Sequence, residues 1–325
     1  LKYNSFTSTS SKPTTLGVPQ GSILGPLLFL LYINDIHLSS NVPHFLLYAD
    51  DTALLFSAPS VDQLQVAINN SLPNVTSWLN SNRLTLNVKK STYQLFSIQH
   101  RVPDINISIG GSLLARSHSF KYLGVTIDEN LKWSSHIKHV ENTIARNIGL
   151  IGRSQFMLDS NYLLLLYNAL ILPFLNYCLQ IWGSTYPSNI SKLVILQKRI
   201  VRIIDHAHHR DHTNPLFKKY SILKFHDLVK FSLINIMHSF LTGTLPPVIA
   251  GHFTACPQND LRSVRSRQHF QVPFAPTNYR KYSLYIQAPA VWNEIIASNL
   301  PNLEDVPRSK SFFKKVARKI FIDSY

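Results

Sequence analysis

The pattern of apolar and polar positions changes character near residue 130. Before that point, short apolar runs alternate with longer segments of helical periodicity, and the runs at 84–86, 92–98, 105–109 and 120–127 predict strands. After it, helical periodicity dominates. This order predicts an α+β region, in which helices pack on a sheet, followed by a helical region.

Two helices are predicted in the first region. Pro26 stands at the first position of one, where its missing N–H costs nothing. That helix is apolar nearly all round, which predicts that it is buried. Ser60 and Gln63 have the spacing of a capping box at the start of the other, and Pro73 predicts a kink within it.

The second region is predicted to form a helical bundle. Further helices are expected over 162–171, 193–203 and 225–241, followed by a proline-containing loop at 245–248 and a basic segment through Lys319. Lys198, Arg199 and Arg202 lie on the polar faces of one helix, where they either clamp a nucleic-acid duplex or are simply solvated. The first helix of this bundle has apolar residues at three- and four-residue steps: Ile137, Val140, Ile144, Ile148 and Ile151.

Two features bear on the compartment. The first twenty residues are polar and do not form a secretory signal, and Cys178 and Cys256 give neither a disulfide framework nor a zinc spacing. We therefore expect an intracellular protein of the nucleus, the cytoplasm or both, with no membrane partner. The apolar run 163–182 predicts a buried helix pair rather than a membrane span, because polar residues and a proline interrupt it: Asn168, Pro173, Asn176 and Gln180.

The charge of the chain favours a polyanionic partner. Lys and Arg number 32 against 17 Asp and Glu, which gives a net charge of +15. Nucleic acid is the first candidate, since a membrane-binding chain would concentrate its charge on one amphipathic helix. Basic and aromatic residues also interleave in one segment, which fits either single-strand binding or plain surface charge: Arg262, Arg265, Arg267, Tyr279, Arg280, Lys281 and Tyr282.

The strongest candidate for chemistry is a pair of adjacent carboxylates. Residues 44–49 and 52–56 predict the strands of a hairpin, and Asp50 and Asp51 would form its two-residue turn. Two acids beside so much apolar sequence would repel each other unless a cation compensates them, so a divalent-metal site is one interpretation. A solvated turn is the other.

Two further groups of residues are weaker candidates. Asp35, near the end of the first helix, is interpreted as a polar helix-end residue rather than a supporting acid of the site. A histidine-rich cluster invites a zinc site but is interpreted as a solvated linker, because no cysteine lies near it: His206, His208, His209, Asp211 and His212.

Four blocks of the sequence form a specific pattern: residues 17–29 (GVPQGSILGPLLF), 48–51 (YADD), 78–91 (WLNSNRLTLNVKKS) and 120–125 (FKYLGV). They resemble the reverse transcriptases of non-LTR retrotransposons, the LINE-type elements of the jockey and CR1 kind. The first two blocks have the family's order and spacing, the third resembles a further conserved block, and the fourth resembles the primer grip. The similarity continues to the C-terminal region at 133–137, Tyr177, 182–183 and 290–293.

The resemblance implies an RNA-directed DNA polymerase that adds dNTPs to a primer 3′-OH by two-metal phosphoryl transfer. Asp50 and Asp51 would be the catalytic residues and would bind Mg²⁺, with Mn²⁺ as the alternative ion. The partners would be an RNA template, a DNA primer and dNTPs. Gln20, Gly21, Ser22, Tyr48 and Lys90 would contact nucleotide or template, and Tyr122, Leu123 and Gly124 would hold the primer backbone.

The resemblance also implies a domain order. Residues 1–130 would be the C-terminal part of the polymerase palm, an antiparallel sheet with helices and the catalytic hairpin. Residues 131–215 would form a helical thumb. Residues 216–325 would form the basic C-terminal region of the retrotransposon protein, with mixed secondary structure.

One departure from the family pattern concerns activity. The family's first metal-binding aspartate lies upstream of the block at 17–29, and residues 1–16 contain no Asp or Glu. We therefore expect a truncated reverse transcriptase that does not polymerise by itself. The alternatives are a nucleic-acid-binding remnant without chemistry and a translated relic that does not fold stably.

Overall fold

The structure is a computed structural model that describes residues 2–3, 6–7, 17–18, 21–98, 103–256, 269–299 and 305–325. The chain divides into two units, Leu1–His118 and Ser119–Tyr325. The boundary therefore follows His118, whereas the division expected from the sequence places the end of the palm at residue 130. The assignment of these regions to palm, thumb and C-terminal region stays a prediction.

The first unit combines helices with short strands. Its helices are α1 (Gly25–Ile33) and α2 (Val61–Ser81), with 3-10 helices at Ile36–Ser39 and Val88–Lys90. Its strands are β1 (Lys2–Tyr3), β2 (Phe6–Thr7), β3 (His44–Tyr48), β4 (Asp51–Leu55), β5 (Thr92–Tyr93), β6 (Ser108–Ile109), β7 (Ser112–Leu113) and β8 (Ala115–Arg116).

The described strands pair two by two rather than forming one sheet. β1–β2, β3–β4 and β6–β7 are antiparallel, and β5–β8 is parallel. The mixture of helices and strands is confirmed, but the single antiparallel sheet expected from the sequence is not formed by these residues. Residues 84–86 are not a strand, and the run 92–98 pairs through Thr92 and Tyr93. Apolar alternation predicts an extended backbone but does not by itself supply a neighbouring strand.

Helix α1 differs from its prediction. Pro26 lies in its first turn as expected, yet α1 buries Ile33 alone among its residues, all of which are described. Leu30 and Leu31 are 55% and 68% exposed. The prediction of a buried helix is therefore wrong for the described part of the chain. An apolar helix needs a partner surface, and its own sequence does not determine whether neighbouring elements provide one.

Helix α2 follows its prediction closely. The Ser60 hydroxyl oxygen accepts a hydrogen bond from the backbone N–H of Gln63 at 3.3 Å, which confirms the cap. The helix continues through Pro73. Its apolar face packs on a small core whose buried residues are Ile68, Leu72, Leu95, Ile105, Ile107 and Ile109.

The second unit begins with a hairpin and is otherwise largely helical. The hairpin consists of β9 (Ser119–Tyr122) and β10 (Val125–Asp128), which are antiparallel. The helices are α3 (Ser134–Ser154), α4 (Ser160–Leu170), α5 (Leu172–Asn176), α6 (Leu179–Trp182), α7 (Pro187–Ile204), α8 (Asn214–Lys219), α9 (Phe225–Leu241), α10 (Pro247–Ala250), α11 (Asn278–Lys281), α12 (Leu284–Asn299) and α13 (Lys310–Asp323).

The apolar periodicity predicted for α3 is confirmed, since the five predicted core positions are all buried. The run 163–182 forms three consecutive helices, α4, α5 and α6, rather than the expected pair. Five of its buried residues recur every four positions: Leu163, Tyr167, Ile171, Leu175 and Leu179. None of the described helices combines the length and apolar character needed to cross a membrane.

Candidate functional site

The β3–β4 hairpin carries Asp50 and Asp51, and we call it the acidic hairpin. Tyr48 pairs with Asp51 across the ladder, so the two turn residues are Ala49 and Asp50. The prediction that both acids share the turn is therefore wrong by one residue. Ala49 adopts a positive φ of 51°, which supplies the reversal that a two-residue hairpin turn requires. Asp favours turns, but the ladder pairing decides the register.

Both carboxylates of the acidic hairpin are exposed to solvent. Hydrated carboxylates need no compensating cation, so the repulsion argued from the sequence does not by itself demand a metal. Tyr48 is 62% exposed and lies opposite Asp51. The hairpin therefore presents an aromatic ring and two acids at one accessible end.

The donor set of the acidic hairpin suits a hard cation. Within the described residues, no group of three or more His, Cys, Asp or Glu is placed to hold a metal ion. Mg²⁺ is commonly bound by one or two carboxylates together with water and substrate phosphates. Asp50 and Asp51 can supply this smaller set of ligands, but not a complete protein cage.

The loop before α1 holds part of the predicted nucleotide site. Gly21 has a φ of +85°, and a Cβ built on it would meet nothing within 4 Å, so the backbone there is open to a ligand. The Ser22 hydroxyl oxygen accepts a hydrogen bond from the N–H of Gly25 at 3.1 Å. Ser22 thus fixes the entry into α1. Gln20 lies outside the described residues.

Lys90 occupies the end of the second 3-10 helix and is exposed. The side-chain oxygen of Asn87 accepts a hydrogen bond from the backbone N–H of Lys90 at 3.3 Å, which fixes this short turn. Because Lys90 is exposed, its ammonium group can contact an anion. Within the same unit, the Tyr32 hydroxyl donates to the carbonyl of Asn82 and links α1 to the end of α2.

The β9–β10 hairpin carries the predicted primer-grip residues, and we call it the grip hairpin. Its turn residues Leu123 and Gly124 have φ values of 45° and 84°, which is the pattern of a type I′ turn. Tyr122 pairs with Val125 beside the turn. The Tyr177 hydroxyl donates to the carbonyl of Leu123 at 2.5 Å, and a Cβ on Gly124 would lie 3.2 Å from the Tyr177 ring. A distant residue of the same unit, Tyr177, therefore anchors this turn.

Residues that follow the grip hairpin also support it. The Asp128 carboxylate accepts hydrogen bonds from the N–H groups of Lys132 at 2.9 Å and Trp133 at 2.7 Å. His136 is buried on α3, its Nδ1 accepts from the N–H of Thr126 at 3.4 Å, and burial lowers its pKa. Sequence reasoning missed these roles, because Asp128 bonds the loop before α3 and does not occupy the N-cap position of that helix.

The structure brings the predicted residues together in separate groups. Tyr48, Asp50 and Asp51 share the acidic hairpin, Gly21 and Ser22 share the loop before α1, and Lys90 stands on its own turn, all in the first unit. The three grip residues, by contrast, belong to the second unit: Tyr122, Leu123 and Gly124.

The weaker candidates have ordinary structural roles. Asp35 is exposed and occupies the N-cap position of the first 3-10 helix, as a polar helix-end residue does, although its side chain makes no cap hydrogen bond there. In the histidine-rich cluster, the Asp211 carboxylate accepts from the backbone N–H of His208 at 2.7 Å. Tyr282 makes an edge contact with Tyr186, with ring centroids 5.1 Å apart. Arg262, Arg265 and Arg267 lie outside the described residues.

Comparison with known proteins shows a family match for the N-terminal part of the chain. Residues 2–127 match the family model described as "Reverse transcriptase (RNA-dependent DNA polymerase)". This stretch contains the acidic hairpin, the loop before α1, Lys90 and the grip residues. Residues 2–127 are therefore similar to the reverse transcriptase family, which confirms the family resemblance of the sequence blocks.

Three of the similar curated proteins come from mobile elements of Drosophila melanogaster. The "RNA-directed DNA polymerase from mobile element jockey" is 30% identical over 212 residues, which cover 61% of this chain and 23% of that protein. The "Probable RNA-directed DNA polymerase from transposon BS" is 29% identical over 58% of this chain and 22% of its own length. The corresponding protein from transposon X-element is 27% identical over 63% of this chain and 23% of its own length. The chain is thus homologous to non-LTR retrotransposon polymerases and spans about a quarter of their length. No solved structure matches it significantly.

Proposed function

We propose that this chain forms part of an RNA-directed DNA polymerase, which extends a DNA primer along an RNA template by adding dNTPs to the 3′-OH. The observation that carries the proposal is the exposed Asp50–Asp51 pair at the end of the acidic hairpin, within the stretch that matches the reverse transcriptase family. Exposed oxygen ligands beside an accessible tyrosine suit a substrate that brings its own phosphates.

In this proposal, Asp50 and Asp51 would hold a divalent cation, Mg²⁺ or alternatively Mn²⁺, together with phosphate oxygens of the dNTP. When bound, the ion would activate the 3′-OH and neutralise charge on the leaving pyrophosphate. Tyr48, next to the turn and 62% exposed, would contact the primer end. Asp51 would then be held by the ladder, whereas Asp50 in the turn would be free to adjust.

The remaining residues would position the substrates. Gly21 and Ser22 would let the nucleotide approach the backbone before α1, and the exposed ammonium group of Lys90 would face the triphosphate. Gln20, which lies outside the described residues, would contact the same side of the nucleotide as Gly21 and Ser22. The turn of the grip hairpin would hold the primer backbone, since its conformation is fixed by Tyr177.

We propose that the 325-residue chain does not polymerise by itself. In the part of the chain that the structure describes, two carboxylates meet at the acidic hairpin and no larger metal-ligating group occurs. Primer extension on the isolated chain with Mg²⁺ or Mn²⁺ tests this. We expect no template-dependent synthesis, and any such synthesis would refute it.

Metal binding is tested separately from activity. We expect Mn²⁺, followed by its electron paramagnetic resonance signal, to bind the chain weakly and to bind Asp50→Asn and Asp51→Asn more weakly still. Asp159→Asn removes one exposed, isolated carboxylate and serves as the charge-matched control. Equal Mn²⁺ binding by Asp50→Asn and Asp159→Asn would contradict the metal role.

A second candidate is a nucleic-acid-binding protein without chemistry, which the net charge of +15 favours. Exposed Lys198 and Arg199 on α7 would contribute to a duplex clamp. Duplex binding that falls steeply with salt, together with no primer extension, would support this candidate. Affinity that is independent of salt would exclude phosphate contacts.

We also propose an intracellular protein of the nucleus, the cytoplasm or both. Cys178 and Cys256 are both free thiols in the structure, which fits a reducing compartment. Fluorescence microscopy of the tagged chain tests this location, and secretion of the chain would contradict it.

A further inference from the structure

A cavity of about 430 Å³ lies within the second unit, among helices α4, α5, α6, α9 and α13. Its size falls within the range of sites that bind small molecules or single groups of larger ones. None of the residues assigned to polymerase chemistry lines it. The residues that line the cavity must therefore indicate its function.

One wall is formed by a row of cations on α13. Lys310, Lys314 and Arg318 line the cavity at four-residue intervals, so they lie on one face of the helix and about 6 Å apart along its axis. Arg318 donates a hydrogen bond to the carbonyl of Ser221 at 2.5 Å, which fixes its guanidinium. The described residues that line the cavity include no Asp or Glu. This wall suits a ligand with several regularly spaced negative charges.

Side-chain amides also line the cavity. Asn168, Asn176 and Gln180 line the cavity from α4, α5 and α6, and each amide both donates and accepts hydrogen bonds. Asn235 on α9 also lines it, and its Oδ1 is buried with no hydrogen-bond partner among the described residues. Donor and acceptor groups in this mixture suit the edge of a heterocyclic base rather than a simple anion.

The cavity also has apolar lining residues. Leu172 and Phe231 are among them and offer apolar surface to a planar ring. Burial raises the pKa of Tyr167 to about 12, so its phenol lines the cavity as a neutral hydroxyl. A planar group with polar edges can therefore enter without meeting a buried charge.

We propose that this cavity binds one unpaired base of a single-stranded nucleic acid, whose backbone phosphates run along Lys310, Lys314 and Arg318. A paired base has no free edge to offer the cavity and is stacked in its helix, whereas an unpaired base can turn out of the strand and enter it. The proposal does not depend on Asp50 or Asp51, and it adds a binding site remote in sequence from the polymerase residues.

Substitutions on α13 test the phosphate contacts. Fluorescence anisotropy of a labelled single-stranded oligonucleotide measures its affinity for the full chain. We expect Lys310→Ala/Lys314→Ala to weaken binding about tenfold and to lower the salt dependence, because each removed phosphate contact reduces the slope. Lys315→Ala/Lys319→Ala removes two exposed charges from the same helix outside the cavity and is the matched control. Equal losses in both double variants would overturn the proposal.

Oligonucleotides without a base test the cavity itself. An oligonucleotide with abasic sites keeps every phosphate, so it should bind the wild-type chain about tenfold more weakly if a base fills the cavity. Asn168→Leu should reduce this preference, whereas Asn161→Leu, an exposed position on the same helix outside the cavity, should preserve it. Equal binding of the normal and abasic oligonucleotides would overturn base recognition. Displacement by inorganic phosphate as effectively as by a nucleoside monophosphate would assign the cavity to phosphate alone and would overturn it too.

A measurement on the wild-type chain keeps the proposal testable even if a variant fails to fold. Hydrogen–deuterium exchange should show that the oligonucleotide protects peptides from α13 and α4. Protection confined to other helices would overturn the proposal, whatever the variants show.

Discussion

The two hairpins of this chain both have two-residue turns but differ in what surrounds the turn. The acidic hairpin reverses at Ala49 and Asp50, and its end is solvent-exposed. The grip hairpin reverses at Leu123 and Gly124, and the Tyr177 hydroxyl holds the carbonyl of its first turn residue. The comparison indicates that the proposed primer contact is pre-formed within its unit, whereas the proposed metal contact is left open.

The second unit explains this difference. Val125 follows the grip turn and is buried, and Asp128 links the end of β10 to the start of α3. In the acidic hairpin, by contrast, Leu46 and Leu55 remain 44% and 47% exposed. Packing against a large core fixes the turn of the grip hairpin. The turn of the acidic hairpin lies at the edge of a small core and is not fixed in this way.

The largest effect is expected from Gly124→Ala. A residue with a Cβ is strained by about 1–2 kcal/mol at this positive φ, and the Cβ would also meet the Tyr177 ring at 3.2 Å. We expect a loss of about 2 kcal/mol in the free energy of unfolding of the second unit. Tryptophan fluorescence in urea measures it, because three of the four tryptophans lie in that unit: Trp133, Trp182 and Trp292.

The control for this substitution is Gly243→Ala, which has a φ of +67° and nothing within 4 Å of its added Cβ. It should lose about 1 kcal/mol, from backbone strain alone. Equal losses at both glycines would mean that Tyr177 does not brace the grip turn.

Acid should weaken the support of the grip hairpin. Burial lowers the pKa of His136 in the folded chain below its ordinary value of 6.5, and His139 adds to the shift. Below pH 6.5 the unfolded chain therefore binds more protons, so stability that is complete above this pH is lost as the pH falls toward the folded pKa. The loss cannot exceed about 1.4 kcal/mol per pH unit for one group.

Urea titrations above and below pH 6.5, followed by tryptophan fluorescence, test this dependence. The ring centroid of His136 lies 5.4 Å from that of Trp182, so its charge should also perturb the emission. His136→Phe should flatten the slope, whereas His139→Gln, at an exposed position on the same helix, should largely keep it. An unchanged slope in His136→Phe would assign the acid sensitivity to another group.

A smaller effect is expected from Tyr177→Phe, which removes the hydroxyl that donates to Leu123. The lost hydrogen bond should cost about 1 kcal/mol and speed hydrogen exchange of amides in the grip turn. Tyr162→Phe, which changes a 59% exposed tyrosine, is the control and should change neither. Unchanged exchange in Tyr177→Phe would show that the turn holds itself.

The sequence was informative where one segment carries its own signal. The cap at Ser60, the periodicity of α3 and the bounds of α9 could all be predicted, because caps and apolar spacing act within a few residues. The register of the acidic hairpin could not, since Ala49 has no sequence preference for a positive φ. The cavity could not be predicted either, because Asn168 and Lys314 come from distant segments. The four-residue spacing of basic residues on α13 was the one readable sign of it.

The smallest effect is expected at the acidic turn, from Ala49→Gly. Glycine relieves the strain of a positive φ but makes the unfolded chain more flexible, and these terms nearly cancel. We expect a change within about 0.5 kcal/mol, whereas Ala53→Gly in β4, without a positive φ, should destabilise by about 1 kcal/mol. Hydrogen exchange of the β3–β4 amides measures both. A loss at Ala49 as large as at Ala53 would show that the turn is not strained there, and the contrast with the grip turn would then rest on Tyr177 alone.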